Sequence, residues 1–249
     1  MFYKMRTVFH LRNSYILIGI LIFFLAACGE PTPQPLPPDQ IVSASAGRMR
    51  EATGFHFLIE CNGPFAYIDA NNTIAFRRAG GNFVPPDRAE AEVRVIAPGI
   101  VADVSMVSIG DRYWETNVLT RVWEEYPQEQ AFNPAVLFDP ETGLQPILEA
   151  DLSDLVYEGT AQLEEMPGEQ LHLVSGVLNT ERVYTLSYGL IGPEPMSTRM
   201  WVIPNTFDLV RIEMVKVVPG EEEDQIWHID FWDYDKPADI QPPIIDSEE

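Results

Sequence analysis

The chain has 249 residues, and its 16 Lys and Arg against 38 Asp and Glu give a formal net charge of −22 and an isoelectric point near 4.4. Because binding to nucleic acid requires a basic surface, this charge argues against nucleic acid as a partner. Hydrophobic residues are 46% and charged residues 22% of the chain, a composition that excludes an intrinsically disordered protein.

The first 27 residues have the pattern of an export signal. Residues 1–14 carry Lys4, Arg6 and Arg12 and no acid, and residues 15–27 form an uncharged, mostly apolar run. As a helix this run would reach about 20 Å, short of the ~30 Å hydrocarbon core of a bilayer. We therefore predict a signal peptide over residues 1–27 rather than a membrane-spanning helix.

The stretch Leu25-Ala26-Ala27-Cys28 resembles the bacterial lipobox. That resemblance implies transfer of a diacylglycerol to the Cys28 sulfur and cleavage before this residue. The alternative is an ordinary signal peptide followed by an incidental cysteine. Since an acidic domain is repelled by anionic headgroups, we expect attachment to the membrane to come from the acyl chains. We expect a protein anchored through lipid on Cys28 to the extracytoplasmic face of the cell membrane.

Composition divides the rest of the exported chain into a linker, a domain and a tail. Residues 29–38 hold five prolines in ten positions, which favours an extended spacer of roughly 30 Å. We expect the lipidated cysteine and linker over residues 28–38, one domain over 39–243 and an acidic tail over 244–249. With Cys28 acylated, Cys61 has no disulfide partner, and a buried apolar role is favoured over a reactive thiol.

The first half of the domain predicts one helix followed by strands. Asp39 is a candidate N-cap for a helix over residues 40–53. After Gly54, alternating apolar residues from Phe55 to Cys61 predict a half-buried strand. Further strands are predicted at 74–78, 90–96, 100–109 and 112–114, in a meander of antiparallel hairpins.

The second half predicts a helical insert and then strands again. Asn133 and Pro134 favour a helix start, and apolar residues from Leu144 to Leu155 recur at helical spacing. The run 181–190 is ambiguous and favours a short helix. Strands are predicted from about 156 and at 171–174, 198–203, 209–218 and 226–232. One antiparallel sheet with helices on one face, an α+β fold, accounts for this order.

The sequence offers little for catalysis or metal binding. The histidines of the domain, His56, His172 and His228, have no metal-ligand spacing, and no nucleophile elbow or phosphate-binding loop occurs. We therefore expect no enzyme, no metal and no cofactor.

The strand at 100–109 has apolar residues on both faces, with Val104 and Met106 on one and Val101 and Val107 on the other. One face of an antiparallel sheet normally meets water. Either both faces are covered by protein, or one of them lines a space for a ligand.

Several short motifs follow one another in a distinctive order over roughly residues 39–243. They are Arg48-Met49-Arg50, Phe55-His56-Phe57, Trp123, Phe132-Asn133-Pro134, Leu137-Phe138-Asp139-Pro140, Gly143-Leu144, Met200-Trp201-Val202-Ile203, Leu209 to Glu213, Phe231 to Pro237 and Ile240 to Pro243. This order resembles that of the LppX/LprAFG family of lipoproteins, whose fold is similar to the LolA/LolB lipoprotein carriers. The resemblance implies a strongly curved antiparallel sheet, a half-barrel with helices over its concave face. It also implies an apolar cavity that holds acylated lipid or glycolipid.

We expect a monomeric lipid carrier of the cell envelope with a cavity formed by apolar residues of the strand at 100–109 and of the helical insert. The candidate lipid-binding residues are Val104, Met106, Val136, Leu137, Phe138, Leu144, Ile147, Leu148 and Leu152. The alternative is a surface lipoprotein with a filled core that acts as an interaction or envelope-sensing module.

Overall fold

The computed structural model describes residues 36–127 and 132–245. The predicted signal peptide over 1–27, Cys28 and all of the linker before residue 36 lie outside these residues, as does the tail from 246. The described residues from Pro37 onwards form one compact unit. Within the described ranges, no helix combines the length and the apolar character needed to cross a membrane.

In the described part of the chain, twelve strands form a single antiparallel sheet. They are β1 (Phe55–Asn62), β2 (Ala66–Tyr67), β3 (Ala75–Val84), β4 (Arg88–Ala97), β5 (Ile100–Ile109), β6 (Arg112–Thr116), β7 (Trp123–Tyr126), β8 (Leu152–Ala161), β9 (Leu171–Leu178), β10 (Met196–Val202), β11 (Leu209–Lys216) and β12 (Gln225–Trp232). Their spatial order is β7-β6-β5-β4-β3-β1-β12-β11-β10-β9-β8, with β2 added to β3. Because the described edge strands β7 and β8 are not paired with each other, the sheet stays open, as a curved half-barrel.

The helical elements lie against the concave face of this sheet. They are α1 (Pro38–Glu51), a 3₁₀ helix (Pro134–Phe138), α2 (Leu144–Asp151) and α3 (Glu181–Leu186). Helix α1 packs on β8, β9, β11 and α2, and the 3₁₀ helix packs on β4 and β5. The fold is therefore α+β, as the sequence predicted.

Helix α1 begins earlier than predicted. Its first residue is Pro38, so Asp39 lies in the first turn rather than at the N-cap, which Pro37 occupies without a side-chain hydrogen bond. Proline suits a first helical position because the N–H that it lacks has no partner there in any helix. At the other end, the Arg48 Nε lies 2.7 Å from Asp208 and its Nη2 2.6 Å from Asp235, which ties α1 to the segments flanking β11 and β12.

Helix α2 ends earlier than predicted, so the prediction that Leu152 lies in this helix is wrong. The helix stops at Asp151, and Leu152 takes extended dihedral angles and begins β8 opposite Leu178 of β9. Leu152 and Leu155 are three residues apart, a spacing that is typical of a helix. The same spacing is also compatible with a strand whose register shifts, and the register of β8 shifts between Ser153 and Val156. Pairing with β9 therefore overrides the helical pattern.

A group of phenylalanines forms the centre of the core. Phe55 and Phe57 of β1, Phe83 of β3 and Phe231 of β12 are buried and surround Phe138 of the 3₁₀ helix, with ring centroids 4.9 to 6.1 Å from its own. Rings at such spacings attract one another beyond their burial. Phe138 thus joins the helical insert to the middle of the sheet.

The outer face of the sheet is polar at its centre and partly covered at one side. Glu213 of β11 accepts hydrogen bonds from Arg199 of β10 and from His228 Nε2 of β12, the latter at 3.1 Å. Near β5, Val107 packs with Trp114 and Ile240, so the C-terminal segment covers this part of the outer face. The outer face of β5 is therefore covered by protein here, whereas its inner face borders a cavity through Met106.

A candidate ligand cavity between the sheet and the helices

A cavity of about 450 Å³ lies between the concave face of the sheet and the helical elements. Its sheet wall includes Ile59, Ala79, Val93, Met106, Trp227 and Ile229, and its cover includes Leu137, Phe138, Leu144, Ile147, Val183 and Leu186. Among the described lining residues, side-chain polar atoms occur only on Ser187, Tyr188 and Trp227, and the Trp227 indole N–H donates to Gln225. Pockets for small molecules typically have volumes of about 300–1,000 Å³. The cavity is suited to an apolar ligand.

The cavity exists because the sheet curves away from helices that are too short to fill it. Ala79 of β3 and Val93 of β4 face each other in register on the concave side, and neither reaches far from the sheet. Helix α3 spans only Glu181–Leu186, so a loop, rather than a further helical turn, covers the cavity after it. Small strand residues under short helices leave unfilled volume that bulkier residues would close.

The cavity reaches the surface at Ile68 and Tyr188, the lining residues whose side chains are exposed. Tyr188 has a positive φ of 53° in the loop after α3, and its ring lies edge-on to Phe132 at 5.5 Å. Ile68 lies just after β2 and donates its backbone N–H to Ile74, which closes a tight loop. An elongated molecule can therefore enter while its polar end stays near water.

One carboxyl group lies beside the cavity. Glu115 of β6 is the register partner of Met106, so both side chains lie on the concave face. Burial raises the pKa of Glu115, and a backbone hydrogen bond from Phe132 opposes this effect. Within residues 36–127 and 132–245, no Lys, Arg or His forms an ion pair with it. An anionic group placed nearby would meet a carboxyl without a compensating cation.

The structure brings five of the nine candidate residues together around the cavity. Met106, Leu137, Phe138, Leu144 and Ile147 line it. The other four lie elsewhere. Val104 is buried on the concave side of β5, Leu148 lies in the core, Leu152 packs at the core's edge, and Val136 lines a separate surface depression with Glu141 and Arg182.

Several lining residues were not among the candidates. Ile59, Trp227 and Ile229 come from β1 and β12, and Val183, Leu186 and Leu190 come from α3 and the loop after it. Alternation along β1 and β12 indicates which side chains face inwards. It does not indicate which inward side chains are left uncovered, because that depends on where the distant helical insert packs.

The described residues contain no group of three or more His, Cys, Asp and Glu side chains placed to hold a metal ion. Two ionisable side chains are register partners of lining residues on the strands, Glu115 of Met106 and Cys61 of Trp227. The chemistry that the cavity itself supports is burial of apolar surface.

A family model described as LppX_LprAFG lipoprotein matches residues 37–240. The crystal structure of LprF from Mycobacterium bovis is similar, with a TM-score of 0.63 at 16% identity, covering 86% of this chain and 99% of LprF. The lipoprotein LppX from Mycobacterium tuberculosis is similar with a TM-score of 0.55 at 13% identity, covering 82% of this chain and 97% of LppX. No curated protein sequence matches the chain.

A LolA superfamily protein from Nitrosomonas europaea also matches, with a TM-score of 0.30 at 9% identity, covering 83% of this chain and 96% of that protein. The assignment of the fold rests on the two mycobacterial structures, which share the fold over most of each chain. The match over residues 37–240 confirms the family that the order of motifs indicated. The chain belongs to the LppX_LprAFG lipoprotein family.

Proposed function

We propose that this lipoprotein binds the acyl part of a lipid or glycolipid in its cavity and carries it within the cell envelope. The observation that carries the proposal is the unfilled, apolar, surface-reaching cavity of about 450 Å³ under α2 and α3. A protein whose interior served only to hold the fold together would gain stability by filling this volume. The cavity therefore weighs against the alternative of a module with a filled core.

The mechanism is physical, and no covalent bond forms or breaks. A sixteen-carbon acyl chain gains roughly 12 kcal/mol from leaving water, at ~0.8 kcal/mol for each CH₂ group. Release into a membrane requires that the cavity offer a comparable apolar environment and that its cover can open. The cover is suited to this, because α3 is short and the loop after it holds the exposed Tyr188.

The proposal includes the anchor and the location predicted from the sequence. A diacylglycerol on Cys28 holds a monomer at the extracytoplasmic face of the membrane, and the proline-rich linker spaces the domain from it. Two or three acyl chains anchor a protein stably, whereas one does not.

Analysis of the lipid that copurifies with the domain tests the proposal. The segment 37–249, purified without its N-terminal region, is extracted and the extract examined by mass spectrometry. We expect a lipid with an acyl chain, in near-equal amount to the protein. The proposal is wrong if extracts from several expression hosts contain none and added palmitoylated lipid does not bind.

Two matched variants connect binding to the cavity. Val93→Trp places a large ring in the cavity from the rigid sheet wall and should abolish lipid loading. Val177→Trp makes the same change at a half-exposed position on β9 and should leave loading intact. Thermal unfolding of both variants shows whether the fold survives, since overpacking alone typically costs about 1–3 kcal/mol. If a folded Val93→Trp variant loads as much lipid as wild type, the lipid does not bind in the cavity.

A further inference from the structure

Exposed apolar side chains concentrate at one end of the sheet. We call residues 65–68, 96–101 and 117–122 the rim. Leu119 is 83% exposed, Val101 63%, Ile68 52% and Phe65 50%. Single exposed apolar residues are common, but a contiguous group of them marks a surface that contacts an apolar partner.

The three parts of the rim are neighbours in the sheet. Tyr67 of β2 pairs with Ala75 of β3, Ala75 with Ile96 of β4, and Ile96 with Val101 of β5. The turn between β6 and β7 joins this row, since the Arg121 guanidinium donates to the backbone carbonyl of Asp103 in β5. The three segments of the rim therefore form one continuous edge of the sheet.

The rim is apolar on both of its faces. Ile68 lines the cavity on the concave side, and Tyr67, its neighbour in the chain, is directed to the other face, where its ring contacts Phe65 at 6.1 Å. Likewise Val101 lies one position from Ala102, which is paired with Val95 and buried. An edge that is apolar on both sides suits insertion into an apolar medium better than packing against the flat face of another protein.

The rim also lacks the negative charge of the rest of the chain. Its residues include no Asp or Glu and one basic residue, Arg121, in a chain of net charge −22. Two carboxylates close to the rim in sequence are engaged: Asp69 accepts backbone N–H groups of Asn71, Thr73 and Ile74, and Asp103 pairs with Arg94 at 2.7 Å. Among the surfaces of the described residues, the rim is therefore the one best able to approach a membrane.

The acidic loop from Glu221 to Asp224 limits which membrane surface the rim can meet. This loop flanks the rim, because the adjacent Gln225 side chain donates to the carbonyl of Pro64 at 3.1 Å. Four acidic residues at this place would be repelled by an anionic leaflet. A leaflet of zwitterionic or uncharged lipid meets no such repulsion.

We infer that the rim inserts into the surface of a bilayer whose lipids carry no net charge, and that the acyl chain passes between bilayer and cavity beside Ile68 without crossing water. This inference rests on the proposed function, since the passage it describes ends in the cavity. Its physical basis is that the apolar surface of the rim continues into the cavity, because Ile68 belongs both to the lining of the cavity and to the rim.

Vesicle flotation with the segment 37–249 tests the inference. This segment contains every described strand and helix, and its described residues form one compact unit, so it is expected to fold without the residues before it. Wild-type protein should float with phosphatidylcholine vesicles, and adding phosphatidylglycerol to the vesicles should weaken this binding. A double variant, Val101→Ser with Leu119→Ser, should lose at least about tenfold in binding because two apolar side chains no longer insert.

The matched control is the double variant Val156→Ser with Val177→Ser, which removes two exposed valines from β8 and β9, far along the sheet from the rim. It should bind the vesicles like wild type. The inference is overturned if wild-type protein does not float, if both double variants lose binding equally, or if phosphatidylglycerol strengthens binding.

Loading from detergent-dispersed palmitoylated lipid separates this inference from the proposed function. The rim variant should load as much lipid as wild type under these conditions, but should exchange it more slowly with phosphatidylcholine vesicles. Loading that fails in every variant, with flotation intact, would overturn the proposed function alone. Normal loading with no effect of the rim variant on flotation or exchange would overturn the rim inference alone.

Discussion

The ring of Phe138 packs against the ring of Phe55 edge to face, with centroids 5.1 Å apart and planes at 88°. Phe55 is the first residue of β1, and Phe138 is the last residue of the 3₁₀ helix. Phe138 also lines the cavity. One side chain thus holds the helical insert on the sheet and forms part of the wall against which a ligand would lie.

Replacing Phe138 with Ala should therefore destabilise the fold strongly. The change removes a buried ring that contacts Phe55, Phe57 and Phe83, and similar core truncations cost about 3–5 kcal/mol. Chemical denaturation of the segment 37–249 measures the loss. Phe138→Leu keeps an apolar side chain and should cost less. A loss below about 1 kcal/mol for the Ala variant would mean that the insert is held mainly by other contacts.

The headgroup of the bound lipid should be constrained by Glu115, which lies beside the cavity at Met106. When ionised, this carboxyl disfavours an anionic ligand, because no cation of the described residues pairs with it. Palmitate should bind more weakly than monopalmitoylglycerol by about fivefold or more, because its carboxylate would add a second negative charge beside Glu115. Titration calorimetry at pH 8 measures the difference.

Glu115→Gln should reduce the difference in affinity between palmitate and monopalmitoylglycerol, because it should improve the binding of palmitate. The control is Glu125→Gln on β7, which removes a carboxylate that is ion-paired with Arg112 and directed away from the cavity. This control variant should leave the difference in affinity unchanged. If the difference is unchanged in both variants, Glu115 does not contribute to the selection of the headgroup.

Glu213 should make stability depend on pH in the acidic range. The hydrogen bond from His228, aided by that from Arg199, holds the pKa of Glu213 below its ordinary value although burial opposes this. Because the pKa is lower in the folded state, the carboxylate stabilises the fold above its unfolded-state pKa, about 4.3. This contribution is lost as the pH falls through the lower pKa of the folded state.

Thermal unfolding from pH 7 to pH 3 measures this effect in wild type and Glu213→Gln. The variant should be less stable than wild type at pH 7, and the difference should shrink below about pH 4.3 as Glu213 is protonated. Glu221→Gln changes an exposed carboxylate of the acidic loop and should follow wild type across this range. A difference that grows towards acid pH would contradict the assignment.

Cys61 should react slowly in the folded protein. Its side chain is buried on β1, and burial raises its pKa to about 11, against the opposing charge of Arg77. At pH 8 the thiolate is scarce, so a disulfide reagent should modify the native thiol at least about a hundredfold more slowly than the unfolded one. Stopped-flow absorbance in buffer and in guanidinium measures both rates. Rapid modification of the native protein would show that β1 opens locally.

Local pattern predicted some of the locally paired strands closely, although β3 continues to Val84, beyond the predicted end at residue 78, and β7 was not predicted. The predicted bounds of β5 match those observed, and the hairpin from β10 to β11 was placed within about two residues at each end. The end of α2 was predicted less well, because a neighbouring strand decides it: Leu152 continues a helical spacing and still pairs with Leu178. The contribution of Trp227 to the cavity had no local signal, since it depends on a helical insert far away in the chain.

The sequence by itself determined the family, the α+β fold class, the antiparallel meander and the apolar character of the residues that face inwards. These follow from periodicity, turn residues and the order of motifs, each of which acts over a few neighbouring residues. The tertiary structure decided which inward residues fill the core and which line the cavity. It also decided that Glu115 lies beside the cavity and that three separate turns form one rim. Such relationships arise from the curvature of the sheet and the packing of distant helices, for which no short stretch of sequence carries a signal.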